Sequence, residues 1–384
     1  MTPKKILFIA NGNSIHDIKW ITYFSVQTEK YKCFLLCDTL CFLSETTRTD
    51  LAKMQIEIVS QIEPLSISHP IRTRKAIKQF KNLVRSIQPN LIHVLFATPN
   101  ALWLNYTKTP SIITMRGSDI LVVLPDLLKQ TGIKRIYFTY LFRRFKKAFG
   151  NAQFVSGTSN PQIERAAELF GTLNLQLIRT GVDVDTIDKL DHADLIPEEL
   201  YRKNFIFSPR FMSPIYNIEM QIDAISLLDK KIIENYLFVF IRGKQFDDKY
   251  YRRQIEKLNT LKDEINLKFI IIDYLNQLEI WMMMKKASLC IMTPTSDGTP
   301  NSALEAMAAK CPLIVSNLNY DKELFENTCY KLNTFEIDEL KTTIEKAIFN
   351  LNSDIISNAF NAVNKFGNRN LEMIKLEKLY ESVK

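Results

Sequence analysis

The stretch Thr295-Ser-Asp-Gly-Thr-Pro-Asn-Ser-Ala-Leu-Glu-Ala-Met-Ala-Ala-Lys-Cys-Pro-Leu-Ile-Val315 predicts the order strand, loop, helix, strand. Gly298 and Pro300 are typical turn residues, and Asn301 or Ser302 can cap the helix that follows. Because the first backbone N–H groups of a helix have no partner within it, they can hold a phosphate. The stretch therefore predicts a loop and a helix start suited to an anionic ligand.

Glu305 lies about one turn inside this helix. On the face turned toward a ligand, its carboxylate could accept hydrogen bonds from both hydroxyls of a ribose. An ordinary capped helix with a solvated glutamate explains the same residues. The residues alone leave both interpretations open.

Short apolar runs alternate with helical patterns along the whole chain, which is typical of parallel sheets built from βαβ units. The predicted strands of the first half are Ile6 to Ala10, Cys33 to Cys37, Gln55 to Val59, Leu91 to Phe96 and Ile112 to Met115. Those of the second half are Phe205 to Ser208, Leu237 to Ile241, Phe269 to Asp273, Leu289 to Met292 and Leu313 to Ser316. The pattern predicts an α/β protein with two doubly wound units in tandem.

We expect an N-terminal domain over residues 1–195 and a C-terminal domain over residues 196–364. The boundary is placed there because the segment from Asp183 to Glu199 is polar, poor in apolar periodicity and interrupted by Pro197. A helix over about residues 365–384 has the option of packing back on the N-terminal domain. Open α/β sheets bind ligands at the carboxyl ends of their strands, so two facing sheets would place the chemistry in a central cleft.

The composition of the 384 residues, 46% hydrophobic and 24% charged, is that of a folded protein. No apolar run reaches the roughly 20 residues that span a bilayer, and the run from Ile6 to Ala10 is too short for a signal peptide. We therefore expect a cytoplasmic protein. The six cysteines form no CxxC pair and no histidine cluster with metal-ligand spacing, so no metal site is predicted.

The net charge of +8 is unevenly distributed, because residues 64–163 contain 15 Lys and Arg against two acids and carry +13. Two segments of this region, Arg72 to Arg85 and Lys134 to Lys147, predict helices with an apolar and a cationic side. Such helices could lie on an anionic membrane surface, at the inner face of the plasma membrane, or pack on the core with a solvated basic face. Nucleic-acid binding is not predicted, because no known motif and no set of stacking aromatics accompanies the charge.

The quoted stretch resembles the retaining GT-B glycosyltransferases of family four, the glycosyl transferases group 1, in which seven residues separate two acids. Asp297 and Glu305 occupy those two positions, and the run from Ala306 to Val315 is similar to the family's helix-to-strand passage. Further segments resemble family motifs in the same order: Ser14-Ile-His-Asp-Ile-Lys-Trp20, Thr114-Met-Arg-Gly-Ser-Asp119, Thr180-Gly-Val-Asp183 and Ser208-Pro-Arg210. The resemblance spans nearly the whole chain and implies the GT-B fold, two Rossmann-like domains that face a cleft.

The resemblance also implies roles for individual residues. Asp297 would contact the hydroxyls of the donor sugar, Glu305 the ribose of its nucleotide and Arg210 its diphosphate, where a fixed cation stabilises the leaving group. Aspartate is one methylene shorter than the glutamate usual at position 297, which leaves the identity of the sugar open. The donor site would also include the loop and helix start at Gly298, Thr299, Pro300 and Asn301.

The lysine that the family usually places shortly after its arginine is missing, since Ile215 and Tyr216 stand there. Lys244, which follows Gly243 in a segment also assigned to the donor site, or Arg116 could substitute for it. A slow enzyme and a protein without catalysis are the other interpretations.

Three residues and a glycine near strand ends in the N-terminal half are further site candidates. His16 follows the loop that contains Gly12, where it could bind acceptor or donor phosphate, or simply tie the loop together. Gly12 is assigned to the donor site. Arg116 and Asp119 could orient the acceptor, although a structural salt bridge explains them as well.

The resemblance implies a metal-independent retaining transferase. It would move a hexose-type sugar from a nucleoside diphosphate, with UDP as first choice, to a glycan or lipid-linked acceptor in cell-surface polysaccharide synthesis. The sugar nucleotide is a substrate, and no cofactor is predicted. A GT-B epimerase, a phosphorylase and a non-catalytic nucleotide-sugar-binding protein are the alternatives, and the missing lysine favours the last. An NAD-dependent dehydrogenase is disfavoured, because the first strand leads into Asn11-Gly-Asn13 and not into a Gly-x-Gly-x-x-Gly turn.

Overall fold

A computed structural model describes residues 2–66, 69–171, 173–243 and 247–383, except for the side chains of Ile133 and Ala193. The chain divides into two compact units, Met1–Thr180 with Glu372–Lys384, and Gly181–Leu371. The division falls earlier than the sequence-based boundary at residues 195 and 196. The reason is that Val184 and Ile187, in the polar segment, are buried in a core of the second unit.

The first unit contains a seven-stranded sheet in the order β3-β2-β1-β4-β5-β6-β7, and all its strand pairs are parallel. Its strands are β1 Lys4–Ile9, β2 Tyr31–Asp38, β3 Ile56–Ile62, β4 Leu91–Leu95, β5 Ser111–Met115, β6 Phe154–Gly157 and β7 Leu175–Leu177. Its helices are α1 Ile15–Ser25, α2 Glu45–Lys53, α3 Pro70–Ile87, α4 Ala97–Asn100, α5 Leu124–Leu128, α6 Gly132–Asn151 and α7 Asn160–Phe170. A 3₁₀ segment at Ala101–Tyr106 and a π-helical turn at Asp119–Val123 complete it.

The second unit contains a six-stranded parallel sheet in the order β10-β9-β8-β11-β12-β13. Its strands are β8 Phe205–Phe211, β9 Leu237–Ile241, β10 Phe269–Ile272, β11 Leu289–Met292, β12 Leu313–Val315 and β13 Tyr330–Lys331. Its helices are α8 Val184–Lys189, α9 Ile218–Ile225, α10 Lys230–Asn235, α11 Asp248–Ile265, α12 Gln277–Lys286, α13 Asn301–Ala308, α14 Lys322–Phe325, α15 Ile337–Phe349 and α16 Ser353–Phe366. Short 3₁₀ turns lie at Ala193–Leu195, Glu198–Leu200 and Pro214–Tyr216. The last helix of the chain, α17, runs Arg369–Ser382, and most of it belongs to the first unit.

The strands form where the sequence has continuous apolar runs, because a parallel sheet covered by helices is buried on both faces. All five residues of β4, β5 and β9 are buried. Each sheet has one hydrophobic cluster on either face. Every strand predicted from the sequence is present, with ends that differ by up to three residues, and the predicted fold class is confirmed.

The last residues of the chain pack on the first unit through α17. The ring of Tyr380 stacks on Phe24 with 4.4 Å between centroids, and its hydroxyl is hydrogen-bonded to His93 Nδ1. His93 Nε2 lies 2.7 Å from Thr114 Oγ1, which in turn lies 2.7 Å from Ser156 Oγ. A chain of buried polar side chains thus joins α17 to β4, β5 and β6.

Candidate active site

The loops that follow β8 and β11 lie where the strand order of the second sheet reverses. β8 has β9 on one side and β11 on the other. Arg210 is near the carboxyl end of β8, and Asp297 lies in the loop between β11 and α13. Because open α/β sheets bind ligands at such a reversal, the two charged residues stand where a ligand is expected.

Three neighbours orient the guanidinium group of Arg210. Its Nη1 donates a hydrogen bond to Ser302 Oγ (2.7 Å), and its Nη2 donates one to Asp297 Oδ2 (3.2 Å). Its Cζ lies over the ring of Tyr216, 4.0 Å from the centroid. Because 18% of the side chain is exposed, the cation is oriented by the protein and still accessible from solvent.

The loop that carries Asp297 is held by its own side chains. The second oxygen of Asp297, Oδ1, accepts a hydrogen bond from the N–H of Gly298 (2.8 Å). Thr299 Oγ1 donates to Oδ2 of the buried Asp321 (3.2 Å), at the start of α14. These two bonds therefore fix the conformation of the loop residues assigned to the donor site.

Helix α13 begins differently from the prediction. Its N-cap is Pro300, which makes no side-chain cap bond, and Asn301 is the first helical residue. The prediction that Asn301 or Ser302 caps the helix is therefore wrong, and the hydroxyl of Ser302 accepts a hydrogen bond from Arg210 instead. Because no side chain caps the helix, the N–H groups of Asn301 and Ser302 stay available to an anionic ligand, whereas that of Ala303 donates to Pro300 O (3.0 Å).

Glu305 is buried, with 7% of its surface exposed. Gln277, the first residue of α12, donates a hydrogen bond from Nε2 to Glu305 Oε1 (2.9 Å). The interpretation as a solvated glutamate is therefore wrong. Glu305 lies three residues after Ser302, so both side chains are on one face of α13, the face that meets Arg210.

Gly243 follows β9 and has a backbone that only glycine adopts without strain, with φ of +81°. A Cβ at this position would lie 2.5 Å from the ring of Phe211, the residue after Arg210. The glycine thus lets the chain pass close to the end of β8. Lys244, a candidate for the missing cation, lies outside the described residues.

In the first unit, the loop after β1 packs closely on the sheet. A Cβ on the buried Gly12 would lie 2.9 Å from Leu43 Cδ2 and 3.3 Å from Cys37 Sγ, so a side chain here would have to displace its neighbours. The N–H of Asn13 donates to Asn11 Oδ1 (2.9 Å). His16 is exposed at the second residue of α1, and its role in binding phosphate stays a prediction.

Asp119 is fully buried and organises the turn after β5. Its carboxylate accepts hydrogen bonds from the N–H groups of Ala97 (2.8 Å), Arg116 (3.0 Å), Gly117 (2.9 Å) and Ile120 (3.0 Å). Burial raises the pKa of Asp119, and these four bonds act in the opposite direction. The described contacts explain Asp119 as a structural residue, and its contact with an acceptor stays a prediction.

Arg116 is also enclosed. Its Nη2 lies 3.9 Å from Oδ1 of the buried Asp17, and its Cζ lies over the ring of Trp20, 5.4 Å from the centroid. Its Nη1 is buried without a hydrogen-bond partner. Burial lowers the pKa of Arg116, whereas Asp17 and Asp119 raise it.

Comparison with known proteins identifies the family. The profile described as Glycosyl transferases group 1 matches residues 196–361, which include Arg210, Asp297 and Glu305. The profile described as Glycosyl transferase 4-like matches residues 5–150. The chain belongs to the group 1 glycosyltransferases. No curated protein sequence matches this group 1 glycosyltransferase.

Solved structures establish the fold of this glycosyltransferase over its whole length. A glycosyltransferase from Rickettsia africae shares 16% identity and a TM-score of 0.75, over 100% of this chain and 99% of that chain. Anabaena HepE in complex with UDP shares 15% identity and a TM-score of 0.74, over 99% and 100% of the two chains. Sucrose-phosphate synthase from Thermosynechococcus elongatus shares 15% identity and a TM-score of 0.71, over 99% and 98%. The GT-B fold predicted for the chain is confirmed.

Sequence reasoning missed several side chains that support the site of this glycosyltransferase. Ser302 and Tyr216 orient Arg210, Gln277 is bonded to Glu305, and Asp321 holds the loop through Thr299. Gln277 could have been found as a polar residue soon after a predicted strand. Asp321 carries no such signal, because its contact with Thr299 arises only when two separate loops meet. Tyr216 follows Arg210 closely in the chain, but no pattern in the sequence predicts that its ring stacks on the arginine.

Among the described residues of this glycosyltransferase, no three His, Cys, Asp or Glu side chains are grouped so that they could hold a metal ion. Within the same part of the chain, no helix is both long and apolar enough to cross a membrane.

Proposed function

We propose that the protein is a retaining hexosyltransferase that uses a nucleoside-diphosphate sugar, with UDP as the favoured nucleotide. The observation that carries the proposal is the arrangement at the carboxyl end of β8. There a partly exposed arginine and a carboxylate meet the uncapped start of α13, and a buried glutamate lies on the same face of that helix. UDP is favoured because Anabaena HepE, which shares the fold, has been solved with UDP and with UDP-glucose.

Each group of this site has a chemical task in the proposal. Arg210 and the first N–H groups of α13 bind the diphosphate and stabilise the charge that builds on the leaving group. Glu305 accepts the ribose hydroxyls, and Asp297 accepts hydroxyls of the sugar. The acceptor attacks the face that the diphosphate leaves, and the leaving phosphate takes the acceptor's proton, so no side chain acts as the nucleophile. The proposal assigns no metal and no cofactor to the reaction.

For the acceptor we propose a hydroxyl of a glycan or of a lipid-linked sugar, in cell-surface polysaccharide synthesis. His16 is exposed near the carboxyl end of β1, where it can reach a ligand of the first unit. Arg116 and Asp119, at the end of β5, would then act mainly by shaping the turn, although the buried Nη1 of Arg116 still has a donor to offer.

A cytoplasmic protein that associates with the inner face of the plasma membrane fits this acceptor. Helix α6 is buried along Phe145 and Phe149 and exposes Ile136 (74%) and Tyr140 (48%) beside basic residues. An exposed surface that combines apolar and cationic side chains suits the interface of an anionic bilayer.

A non-catalytic nucleotide-sugar-binding protein is the second candidate, because an isoleucine and a tyrosine stand where the family usually has a second cation. An epimerase or a phosphorylase of the same fold would use the same donor site. The candidates differ in when the nucleotide is released. A transferase releases it faster when an acceptor is added, an epimerase releases none in net turnover, and a binding protein releases none at all.

The direct test is a panel of UDP- and GDP-linked sugars, with nucleotide release measured with and without glycan acceptors. Thermal unfolding is measured in parallel with UDP and GDP, because a ligand that binds only the folded state raises the melting temperature. We expect at least one diphosphate to raise it by several degrees. If neither UDP nor GDP at millimolar concentration changes it, the donor site does not exist as proposed.

A further inference from the structure

Tyr216 lies under the cation of the candidate donor site. The centroid of its ring is 4.0 Å from Cζ of Arg210. The corresponding distances for Arg116, Arg144 and Arg242 to the aromatic rings beside them are 4.8 Å or more. The ring is half-buried and packs on the core of the second unit. Tyr216 therefore covers one face of the guanidinium and leaves its edges open.

The turn that carries Tyr216 is fixed to the loop that carries Asp297. The N–H of Thr295 donates to Ile215 O (2.8 Å), and Thr293 Oγ1 donates to Asn217 O (3.4 Å). The hydroxyl of Thr293 in turn accepts from the buried Gln221 (3.0 Å). Because these bonds lie on both sides of residue 216, the backbone that carries the ring is fixed to the strand and loop that lead to Asp297.

A guanidinium group donates hydrogen bonds in its own plane. Two donors of Arg210 hold Ser302 and Asp297, and the stack on Tyr216 restrains the rotation that would tilt the plane away from them. The protein therefore fixes the direction of the remaining N–H donors, and the arginine side chain loses less conformational entropy when it binds a phosphate. The ring adds no charge, so it can act only through the arginine or through its own hydroxyl.

We propose that Tyr216 is a positioning residue that holds Arg210 in the orientation for binding the donor diphosphate. The inference rests on the proposed function and adds to it the residue on which the arginine's orientation depends. It also gives a role to Tyr216, one of the two residues that stand where the family usually has a lysine.

The test compares Tyr216→Leu, which keeps apolar packing without a ring, with Tyr216→Phe, which keeps the ring without the hydroxyl. The affinity for UDP is measured by calorimetric titration, and kcat and KM are measured from UDP release with UDP-glucose. We expect Tyr216→Leu to weaken UDP binding and to lower kcat about tenfold each. Tyr216→Phe should retain most of both. Phe360→Leu is the matched control, because its half-buried ring lies under Lys310 (4.3 Å) in the same unit and is not part of the site.

A double-mutant cycle shows whether the ring acts through the arginine. In an Arg210→Ala background, Tyr216→Leu should change UDP affinity by no more than about twofold. A full tenfold loss in that background, or a loss in Tyr216→Phe as large as in Tyr216→Leu, overturns the inference in favour of a direct contact by the hydroxyl. Wild-type affinity in Tyr216→Leu overturns the inference alone. A wild-type protein that binds neither UDP nor GDP overturns the proposed function, and the inference with it.

Discussion

Glu305 is held in place before a nucleotide binds. Its carboxylate is buried, and Oε1 already accepts a hydrogen bond from Gln277. Gln277 is itself fixed, because α12 begins with a capping box between Asn276 and Glu279. A carboxylate set in this way needs little reorganisation when ribose hydroxyls arrive.

Replacing Glu305 by alanine should therefore affect both binding and stability. UDP affinity should fall on the order of 100-fold or more, because charge-assisted hydrogen bonds contribute about 1.5 to 3 kcal/mol each. The free energy of unfolding without ligand should fall by about 1 kcal/mol, because Gln277 loses a buried partner. Calorimetric titration and urea unfolding measure the two effects. Glu305→Gln is the control that keeps the shape: wild-type UDP affinity in this variant would contradict a role for the charge.

Gly243 offers a second test at the scale of one residue. Gly243→Ala should destabilise the protein through strain at positive φ, about 1 to 3 kcal/mol, and through the collision with Phe211. Gly171→Ala is the matched control, since Gly171 has φ of +78° and no atom within 4 Å of a built Cβ. Urea unfolding should give a larger loss at position 243, and Phe211→Ala should recover part of it. Equal losses at both positions would show that the contact with Phe211 is unimportant.

At the scale of the element, α6 has one side in the core and an opposite side exposed to solvent. One side carries Phe145 and Phe149 into the core, and Phe149 stacks on Phe170 with 4.2 Å between centroids. The other side exposes Ile136 and Tyr140. The core-packing interpretation of this basic segment therefore describes one side of α6, and the membrane contact of the other side stays a prediction.

Flotation with anionic vesicles tests the exposed side of α6. The protein should bind, and binding should weaken with salt. Lys134→Gln with Arg135→Gln should weaken it roughly thirtyfold, because each nearby cation contributes about 1 kcal/mol. The control removes two exposed lysines of α11 in the other unit, Lys249→Gln with Lys262→Gln. Equal losses in both double variants, or equal binding to neutral vesicles, would rule out a specific electrostatic role for α6.

At the scale of the whole molecule, α17 returns the end of the chain to the first unit. Tyr380 and Met373 are fully buried there, whereas Leu371 and Ile374 are exposed by 45% and 42%. Tyr380 meets His93 in the core, and burial there lowers the pKa of His93 to about 3, with Arg116 as the second cause.

This buried histidine makes stability depend on pH. The unfolded chain binds a proton at His93 below about pH 6.5, whereas the folded chain does so only near pH 3. The free energy of unfolding should therefore stay constant above pH 6.5 and fall below it, by up to about 1 kcal/mol per pH unit from this residue. Urea unfolding at pH 7 and pH 5, compared with His93→Gln, measures the contribution. In the His93→Gln variant, the free energy of unfolding should lose this dependence on pH. If the variant shows the same decrease between pH 7 and pH 5 as the wild type, His93 is not its cause.

The amino-acid sequence by itself determined the class of the fold and predicted where a donor site would lie. Continuous apolar runs predict buried parallel strands because a sheet covered on both faces has no polar side, and the ten predicted strands are present. The strands that were not predicted, β6, β7 and β13, have few apolar residues or lie at a sheet edge, where the pattern is weak. Arg210 and Asp297 were predicted from the resemblance to the group 1 family, and in the structure they meet near the ends of β8 and β11, at the edge where parallel sheets bind ligands.

Only the tertiary structure decided which side chains act on one another. Arg210 and Ser302 are 92 residues apart in the chain, and Glu305 and Gln277 are 28 apart, so no local pattern predicts either contact. The same holds for the contact of Thr299 with Asp321 and for the end of the first unit at Thr180. Local periodicity reports which face of an element is buried, whereas the partner on that face depends on how distant loops pack, and this is why the positioning residues emerged only from the folded chain.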